Sequence, residues 1–471
     1  MGAAEYIAEL VKKAKAAQAI YADFDQKQYD RAAQAAGKVV YDNAEMFAVE
    51  AVEETGMGTV PGKIQKMKDA MTNQWAYAKW RPSKGVIGWE KGKLDVDNIL
   101  KIAKPAGIIA AVMPVTNPTT TMGSNTMQAL KGGNAIILCP HPRAKNISMH
   151  CANMIRDAIV ATGAPADLVQ CIEDPSIEMT AEAMAQVDLV VATGGPGMVK
   201  AANSSGNPSL GVGQGNCQVV VDLGMNDLFE QIAEDIVKNR IYDSGIPCTG
   251  EQTIIIPEQD AEEMLAAFDK AKAFILRDPE KVQKLRETIF MQKGDGSWTS
   301  DPKAVGQNIH VIGKWIGVDI PEDRLSIVVP VDKFGPDELL CKEKMLPVTA
   351  FKTYSGDWKE AVNIAKTNLL MEGAGHSTDV YSYDKEHQLY AGIEIPVCRM
   401  PINAGQCMCN GRPYNKGGMV STSGIGCGYW QKNMLNTNLT FEYMLNITRM
   451  LYEVDSAMKE PTLEEVWGDI D

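Results

Sequence analysis

The sequence predicts an α/β protein built on parallel sheets that are covered by helices on both faces. Short, nearly continuous apolar runs such as "GIIAAVM" (107–113), "AIILC" (135–139) and "DLVVAT" (188–193) alternate with stretches of helical spacing. Strands that are buried on both faces give continuous apolar runs, and strands separated by helices indicate parallel pairing. Ligands of such folds, dinucleotides among them, bind at the carboxyl ends of the strands.

Size and charge exclude several classes of protein. The chain has 471 residues and a formal net charge of −14. This length predicts two or three folding units, and the negative charge disfavours binding to nucleic-acid phosphates. The sequence contains no apolar run of about 18 residues that could span a membrane, and its first residues do not form a secretory signal. We therefore expect a cytoplasmic protein.

The predicted elements follow the chain in two α/β sections. Residues 3–56 have helical spacing, with Asn43 as the cap of a helix that ends at Gly56. The first section also includes strands at 168–172 and 217–222. The second begins with a helix whose inward side chains are Phe229, Ile232, Ile236 and Val237. Its further strands are predicted at 253–257, 326–331, 347–353 and 376–382, and an amphipathic helix is predicted at 440–454.

One cysteine stands apart in "KNRIYDSGIPCTGEQTIIIP" (238–257). Cys248 lies in a turn between Pro247 and Thr249, after a helix and before an apolar strand. The ten cysteines of this long chain are expected to be reduced thiols. A turn can expose a thiol, and a depressed pKa would make Cys248 a thiolate nucleophile. The alternative is an inert thiol that only fills space.

Two segments at predicted strand ends could contact a ligand. "ATGGPGMVKAA" (192–202) follows a buried strand and opens a helix, so its backbone amides could hold a phosphate. The alternative is a plain glycine turn. "VMPVTNPTT" places Asn117 directly after a strand and between two prolines, which fix the backbone around it. The alternative for Asn117 is a capping or turn role.

Histidines, cysteines and arginines near other turns are weaker candidates. His376 lies in "GAGHSTDVYS" and His141 in "CPHPRAK", and either could be a structural histidine. The cysteines of "GQCMCNG" and Cys427 lack the second close pair that structural zinc needs, so no metal is expected. Arg399 and Arg412 could face an anionic substrate group or tie loops together.

Taken in order, these segments resemble the CoA-acylating branch of the aldehyde dehydrogenase superfamily over nearly the whole chain. The motifs that carry the resemblance are "YDNAEMFAVEAVEETGMG", "CPHPRAK", "ATGGPGMVKAA", "GVGQGN", "CKEKMLPV" and "GAGHS". The resemblance implies an aldehyde dehydrogenase-like α/β fold. A Rossmann-type NAD-binding domain with N-terminal helices would span 1–224, a catalytic domain with the nucleophilic cysteine 225–412, and a C-terminal segment packing back on the first domain 413–471.

The resemblance also implies roles for single residues. Cys248 matches the catalytic thiol, and Asn117 matches the asparagine that forms the oxyanion hole with the Cys248 backbone amide. The implied cofactor-binding residues are Thr193, Gly194, Gly195, Gly213, His141, Pro142 and, on the ribose, Glu343. Candidate substrate contacts are His376, Arg412 and Arg240.

The segment "GVGQGN" (211–216) bears on the reaction, since hydrolytic relatives carry a water-activating glutamate there and this chain has no carboxylate. Water needs a general base to attack a thioester quickly, whereas the CoA thiol is a better nucleophile. The resemblance thus implies reversible oxidation of a short aldehyde, with NAD+ and CoA, to acyl-CoA and NADH. A hydrolytic enzyme that releases the free acid is the main alternative, and an acyl phosphate reductase is another.

Several properties stay open at this point. The aldehyde could be neutral, such as acetaldehyde or propionaldehyde, or anionic, such as succinate semialdehyde or sulfoacetaldehyde. NAD is the predicted cofactor, with NADP as the alternative because Arg143 and Lys145 could tolerate a 2′-phosphate. The resemblance implies a homodimer or homotetramer, and a free enzyme is preferred over one packaged in a microcompartment shell.

Overall fold

The computed structural model describes residues 2–92, 95–409, 411, 418–454 and 461–470. Its N-terminal part is helical, as predicted, with helices α1 (Ala3–Tyr21), α2 (Gln26–Asp42), α3 (Ala44–Thr55) and α4 (Val60–Ala78). Helix α3 ends at Gly56, which has the left-handed φ of 69° that favours glycine. Asn43 precedes α3, but its side chain donates to the Val39 carbonyl instead of capping.

The first parallel sheet confirms the predicted nucleotide-binding architecture. Its strands, in the order β5-β4-β3-β6-β7, are all parallel. The strand order reverses between β3 and β6, and ligands of such sheets bind at this switch point. The strands are β3 (Ile108–Val112), β4 (Ala135–Cys139), β5 (Val169–Cys171), β6 (Leu189–Thr193) and β7 (Ser209–Val212), and the helices are α5 (Pro118–Lys131), α6 (Lys145–Val160), α7 (Ile177–Gln186) and α8 (Pro196–Asn203).

A second parallel sheet has the order β10-β13-β14-β9-β8-β15 in the described part of the chain. The strands predicted from residue 253 onward are confirmed, and so is the buried face of α9. The strands are β8 (Cys217–Val221), β9 (Glu251–Pro257), β10 (Ala273–Ile275), β13 (Ser326–Val331), β14 (Val348–Tyr354) and β15 (Thr378–Tyr381). The helices are α9 (Phe229–Ile241), α10 (Ala261–Lys270), α11 (Pro279–Ile289), α12 (Ile309–Ile316), α13 (Trp358–Met371), α14 (Lys385–Glu394) and α15 (Leu463–Trp467).

Strand β8 lies in the second sheet, between β9 and β15, although we predicted it with the strands of the first. A continuous apolar run reports burial on both faces but not the neighbouring strand, which explains the error. The chain therefore changes sheets between Val212 and Cys217. The domain boundaries at 224 and 412 stay predictions.

The prediction of a helix at 440–454 is wrong. A 3-10 turn at Phe441–Met444 leads into strand β16 (Leu445–Leu451), which pairs antiparallel with β2 (Asp97–Pro105). Strand β1 (Gly85–Lys91) completes this sheet, and β11 (Phe290–Gln292) and β12 (Trp298–Ser300) form a separate hairpin. β-branched Ile447 and Thr448 fit a half-buried strand, and backbone pairing with β2 overrides the helical spacing. Among the described helices, none is long and apolar enough to cross a membrane.

Candidate active site

A pocket of about 110 Å³ contains both residues predicted to carry the chemistry. Cys248 and Thr249, from the loop before β9, line one part of it, and Asn117, at the start of α5, lines another. Lys66 from α4 and the hydroxyl side chains of residues 421–423 also line the pocket. Segments that are far apart in the sequence therefore meet at the predicted nucleophile.

The Cys248 thiol lies beside a histidine. Its Sγ is 3.1 Å from His376 Nε2, a contact that joins positions 128 residues apart. Burial raises the pKa of this thiol to about 12, and the Glu343 carboxyl contributes in the same direction. The depressed pKa that would make Cys248 a thiolate is therefore not found. Because a thiol with a raised pKa is protonated at neutral pH, Cys248 needs a proton acceptor before it can attack.

His376 has the properties of that acceptor. The side chain is fully buried, and burial together with the nearby Arg399 guanidinium lowers the pKa of His376 to about 3. The imidazole is therefore neutral, with one ring nitrogen protonated and the other able to accept. Its Nδ1 lies 2.8 Å from Ser377 Oγ, while Nε2 faces the thiol. We predicted His376 as a substrate contact, but its position also allows it to act as a base.

Asn117 is held by a lysine. The residue is the N-cap of α5, and its Oδ1 accepts a hydrogen bond from Lys66 Nζ at 2.8 Å. Lys66 in turn forms an ion pair with the fully buried Asp243, which has a left-handed φ of 46°. With Oδ1 engaged, the two Nδ2 protons of the amide are left to donate. An amide with this arrangement can stabilise an oxyanion in the pocket.

Glu343, which is predicted to contact the ribose, is buried near the nucleophile. Burial, followed by repulsion from Glu372, raises the pKa of Glu343 to about 8. The Gln214 side chain and the Gly215 backbone act in the opposite direction, so the "GVGQGN" segment lies against this carboxyl. A carboxyl with a pKa of about 8 is mostly protonated at neutral pH.

Glycines in the same segment allow the backbone to pass close to the site. A Cβ at Gly215 would lie 2.1 Å from the Cys248 carbonyl oxygen, and one at Gly213 would lie 1.9 Å from Gln431 Oε1. A side chain at Gly215 would push against the loop that carries the nucleophile, and one at Gly213 would push against Gln431 and Cys427. Gly213 therefore has a packing role here, beside its predicted role in cofactor binding.

Replacement of Gly215 by alanine is expected to destabilise the protein by ~1–3 kcal/mol and to lower activity, because the Cys248 backbone must move. Urea unfolding and initial rates measure the two effects. Gly392→Ala is the matched control, since a Cβ there meets nothing within 4 Å. A Gly215→Ala enzyme that matches this control in both measurements would contradict the close approach.

The predicted cofactor residues lie at the carboxyl edge of the first sheet. Thr193 ends β6, and Gly194 and Gly195 connect it to α8. A Cβ at Gly195 would meet nothing within 4 Å, so open space adjoins this loop at the N-terminus of α8. His141 and Pro142 follow β4 at the same edge, and His141 Nδ1 accepts from the Arg143 backbone N–H at 3.1 Å. This arrangement around the switch point suits a dinucleotide.

The structure places two of the predicted arginines outside the pocket. Arg240 is fully buried and donates to the carbonyl oxygens of Leu346 and Val348. Arg399 ties loops together by donating to Asn438 Oδ1 at 2.7 Å and to the Gly426 carbonyl at 2.8 Å. Arg412 lies outside the described residues. Among the described residues that line the pocket, the cation is Lys66.

Sequence reasoning missed two residues at this site. Lys66 lies in a helix with no motif around it, and nothing in the sequence links it to Asn117. Ser377 follows His376 directly in "GAGHS", so a polar neighbour of the histidine was visible although its contact was not. Within the described ranges, no group of three or more His, Cys, Asp or Glu side chains could hold a metal ion.

Comparison with known proteins identifies the class. The model of the aldehyde dehydrogenase family matches residues 1–284. An acetylating succinate-semialdehyde dehydrogenase of Clostridium kluyveri is 41% identical over 462 residues, which cover 98% of this chain and 99% of that protein. An acylating sulfoacetaldehyde dehydrogenase of Bilophila wadsworthia is 33% identical and covers 98% of both chains. The chain belongs to the aldehyde dehydrogenase family.

The relatives narrow this assignment to one branch. The crystal structure of an acetylating aldehyde dehydrogenase from Geobacillus thermoglucosidasius superposes with a TM-score of 0.89 at 30% identity, covering 97% of this chain and 98% of that one. Together with the two acylating relatives, it confirms the resemblance to CoA-acylating aldehyde dehydrogenases.

Proposed function

We propose that the chain oxidises a short aldehyde with an acidic tail to its CoA thioester, using Cys248 as nucleophile and a nicotinamide dinucleotide as hydride acceptor. The observation that carries the proposal is the 3.1 Å contact between Cys248 Sγ and His376 Nε2. This pair borders the pocket that Asn117 also lines. Nucleophile, base and oxyanion donor are the three groups that acyl transfer needs.

The residues of the chain perform the first step. As Cys248 Sγ bonds to the aldehyde carbon, its proton passes to His376 Nε2. The aldehyde oxygen becomes an oxyanion that accepts from Asn117 Nδ2 and from the Cys248 backbone N–H, each donor contributing ~3 kcal/mol to the transition state. Lys66 holds the Asn117 amide by its Oδ1, at 2.8 Å.

The groups at the carboxyl edge of the first sheet fit a nicotinamide dinucleotide. The loop Thr193–Gly194–Gly195 would hold its pyrophosphate and Glu343 its ribose, with His141 and Pro142 near the adenosine. When bound, the cofactor accepts hydride from the substrate carbon, which leaves a thioester on Cys248. We expect NAD, with NADP as the alternative because Arg143 and Lys145 are exposed beside His141.

The fate of this thioester separates the acylating enzyme from its hydrolytic rival. "GVGQGN" supplies no carboxylate, and the Glu343 carboxyl has a pKa of about 8. With no carboxylate in that segment to activate water, hydrolysis of the acyl-enzyme is slow. The CoA thiol attacks the acyl carbon instead and releases its proton to the solvent. Cys248 leaves as its thiolate and recovers a proton from the His376 imidazolium. The thioester energy is retained in acyl-CoA, so the reaction is reversible.

The pocket offers hydrogen-bond donors to an acidic aldehyde. Lys66 and the hydroxyl groups of residues 421–423 line the space beside Cys248, together with the Asp69 carboxyl and several apolar side chains. A carboxylate or sulfonate on the aldehyde would accept charge-assisted hydrogen bonds from these groups. The names of the two relatives above also specify aldehydes with an acidic tail, succinate semialdehyde and sulfoacetaldehyde. Arg240 is too deeply buried to take this role.

The substitution Lys66→Met is expected to lower kcat/KM for succinate semialdehyde ~10–100-fold more than for propionaldehyde, because it removes a charge-assisted hydrogen bond of ~1.5–3 kcal/mol. Both substrates should share the smaller loss that comes from a less well held Asn117. The ratio of the two kcat/KM values measures the effect on the tail alone. An equal loss for both aldehydes would mean that Lys66 acts only through Asn117 and does not contact the substrate.

The proposed function is tested by NADH formation from neutral and acidic aldehydes, with NAD+ and with or without CoA. Turnover that needs CoA and is fastest with an acidic aldehyde supports the proposal. CoA-independent turnover with release of free acid would favour the hydrolytic reading. We also expect a homodimer or homotetramer in the cytoplasm that is not packaged in a microcompartment.

A further inference from the structure

The nucleophile and three side chains around it form a closed ring of polar contacts. From Cys248, the ring runs to His376 Nε2 at 3.1 Å, and from His376 Nδ1 to Ser377 Oγ at 2.8 Å. It continues from Ser377 Oγ to Cys217 Sγ at 2.9 Å, and from Cys217 Sγ back to the Cys248 carbonyl oxygen at 3.4 Å. Cys217 lies at the start of β8 and Ser377 directly before β15, which are paired strands.

Only one arrangement of protons makes every contact of this ring a hydrogen bond. The Cys248 carbonyl oxygen can only accept, so the Cys217 S–H donates to it. The Cys217 sulfur then accepts the proton of the Ser377 hydroxyl, and the Ser377 oxygen accepts from His376 Nδ1–H. The remaining lone pair of the imidazole is on Nε2, which faces the Cys248 thiol. The ring therefore specifies the tautomer in which Nε2 is the base.

Burial makes the ring decisive for the tautomer. The side chains of Cys217, His376 and Ser377 have no exposed area, so water cannot reach Nδ1. The groups that can accept from Nδ1 are Ser377 Oγ at 2.8 Å and Cys217 Sγ at 3.6 Å, and both belong to the ring. The Arg399 guanidinium lies against the His376 carbonyl oxygen at 3.3 Å and donates, so it offers Nδ1 no acceptor. Burial holds the pKa of the Cys217 thiol well above its usual range, which keeps Cys217 protonated and able to donate.

We infer that Ser377 and Cys217 are positioning residues for the reaction proposed above, which hold His376 with its proton on Nδ1 so that Nε2 deprotonates Cys248. This inference depends on the proposed role of His376 and adds the residues through which that role is set. During attack, the Cys248 proton moves to Nε2 while Nδ1–H stays on Ser377, so the positive charge of the imidazolium keeps a hydrogen-bond acceptor. A hydroxyl and a thiol here do the work that a carboxylate does in a Cys-His-Asp arrangement.

The test compares Ser377→Ala, Ser377→Thr and Cys217→Ser with the wild type. The readouts are kcat with propionaldehyde, the rate at which iodoacetamide alkylates Cys248, and the melting temperature. We expect Ser377→Ala to lower kcat and alkylation ~10–100-fold, as loss of general-base assistance does. Ser377→Thr should restore most of both, and Cys217→Ser should stay near wild type because a hydroxyl can donate and accept in the same places. Cys171→Ala, which removes a buried thiol in β5, is the matched control.

A second comparison separates positioning from a merely structural role. In a His376→Ala background, Ser377→Ala should cause no further fall in the alkylation rate, because Ser377 acts through the imidazole. An equal fall with and without His376, or wild-type alkylation in Ser377→Ala, would overturn the inference. Alkylation needs neither aldehyde nor CoA. A wild-type enzyme that fails to form acyl-CoA would therefore refute the proposed function without deciding the role of Ser377.

Discussion

Replacement of Cys248 by alanine is expected to lower the rate of NADH formation by ~10⁴-fold or more, the loss that removal of a covalent nucleophile causes. Every later step depends on the bond between Sγ and the substrate carbon, because hydride leaves only from the adduct and CoA attacks only the thioester. Stopped-flow absorbance of NADH over the first turnover measures the loss directly, since slow product release cannot mask it.

Cys171→Ala serves again as the control, since this thiol is buried in β5 of the first sheet. We expect the control to keep the rate of the wild type. A Cys248→Ala enzyme that still forms NADH at more than a small fraction of that rate would contradict the assignment of the nucleophile. The melting temperature of Cys248→Ala should stay close to the wild-type value, which would exclude misfolding as the cause of the lost activity.

Replacement of His376 by alanine is expected to lower kcat ~10²–10⁴-fold. The reason is the state of the thiol, because burial raises the pKa of Cys248 to about 12 and keeps it protonated at neutral pH. Without an acceptor at Nε2, the enzyme must rely on the small fraction of thiolate in equilibrium. As long as the pH is below the raised pKa, the thiolate fraction grows ~10-fold for each unit by which the pH increases.

The pH dependence of Cys248 alkylation checks this account. In His376→Ala, the rate should rise steadily with pH into the alkaline range, since the group that titrates is a thiol with a raised pKa. The wild type should react faster at neutral pH, with a smaller rise, because the neutral imidazole can accept the thiol proton as Sγ bonds to the reagent. Identical pH profiles for the two enzymes would exclude His376 as the base.

Much of the fold could be predicted from the sequence, because burial on both faces leaves a clear pattern. Strands β3, β4, β6 and β9 were located within a residue or two from apolar runs alone. Pairing was harder, as β8 illustrates, since its apolar run fits either sheet. Strand β16 is predicted as a helix from the sequence because the strand is mostly exposed and has no continuous apolar run. Its pairing with β2 is a long-range contact that spacing does not reveal.

The candidate site was predicted in part. Cys248 and Asn117 follow strand ends and match motifs, so both were found, and they line one pocket. The contact between Cys248 and His376 spans 128 residues, and spacing could not reveal it. The raised pKa of the thiol could not be predicted, because a turn in the sequence does not show that later segments cover Cys248 in part. Lys66 was missed for the same reason, since its role depends on contacts with Asn117 and Asp243.

The measurement that tests the central claim most directly is mass spectrometry of the enzyme after mixing with succinate semialdehyde and NAD+ in the absence of CoA. We predict one equivalent of NADH and a succinyl group on the peptide that contains Cys248. Addition of CoA should remove this group as succinyl-CoA and restore turnover. Continued NADH formation with release of succinate, and no acyl group on Cys248, would contradict the acylating mechanism and identify a hydrolytic enzyme.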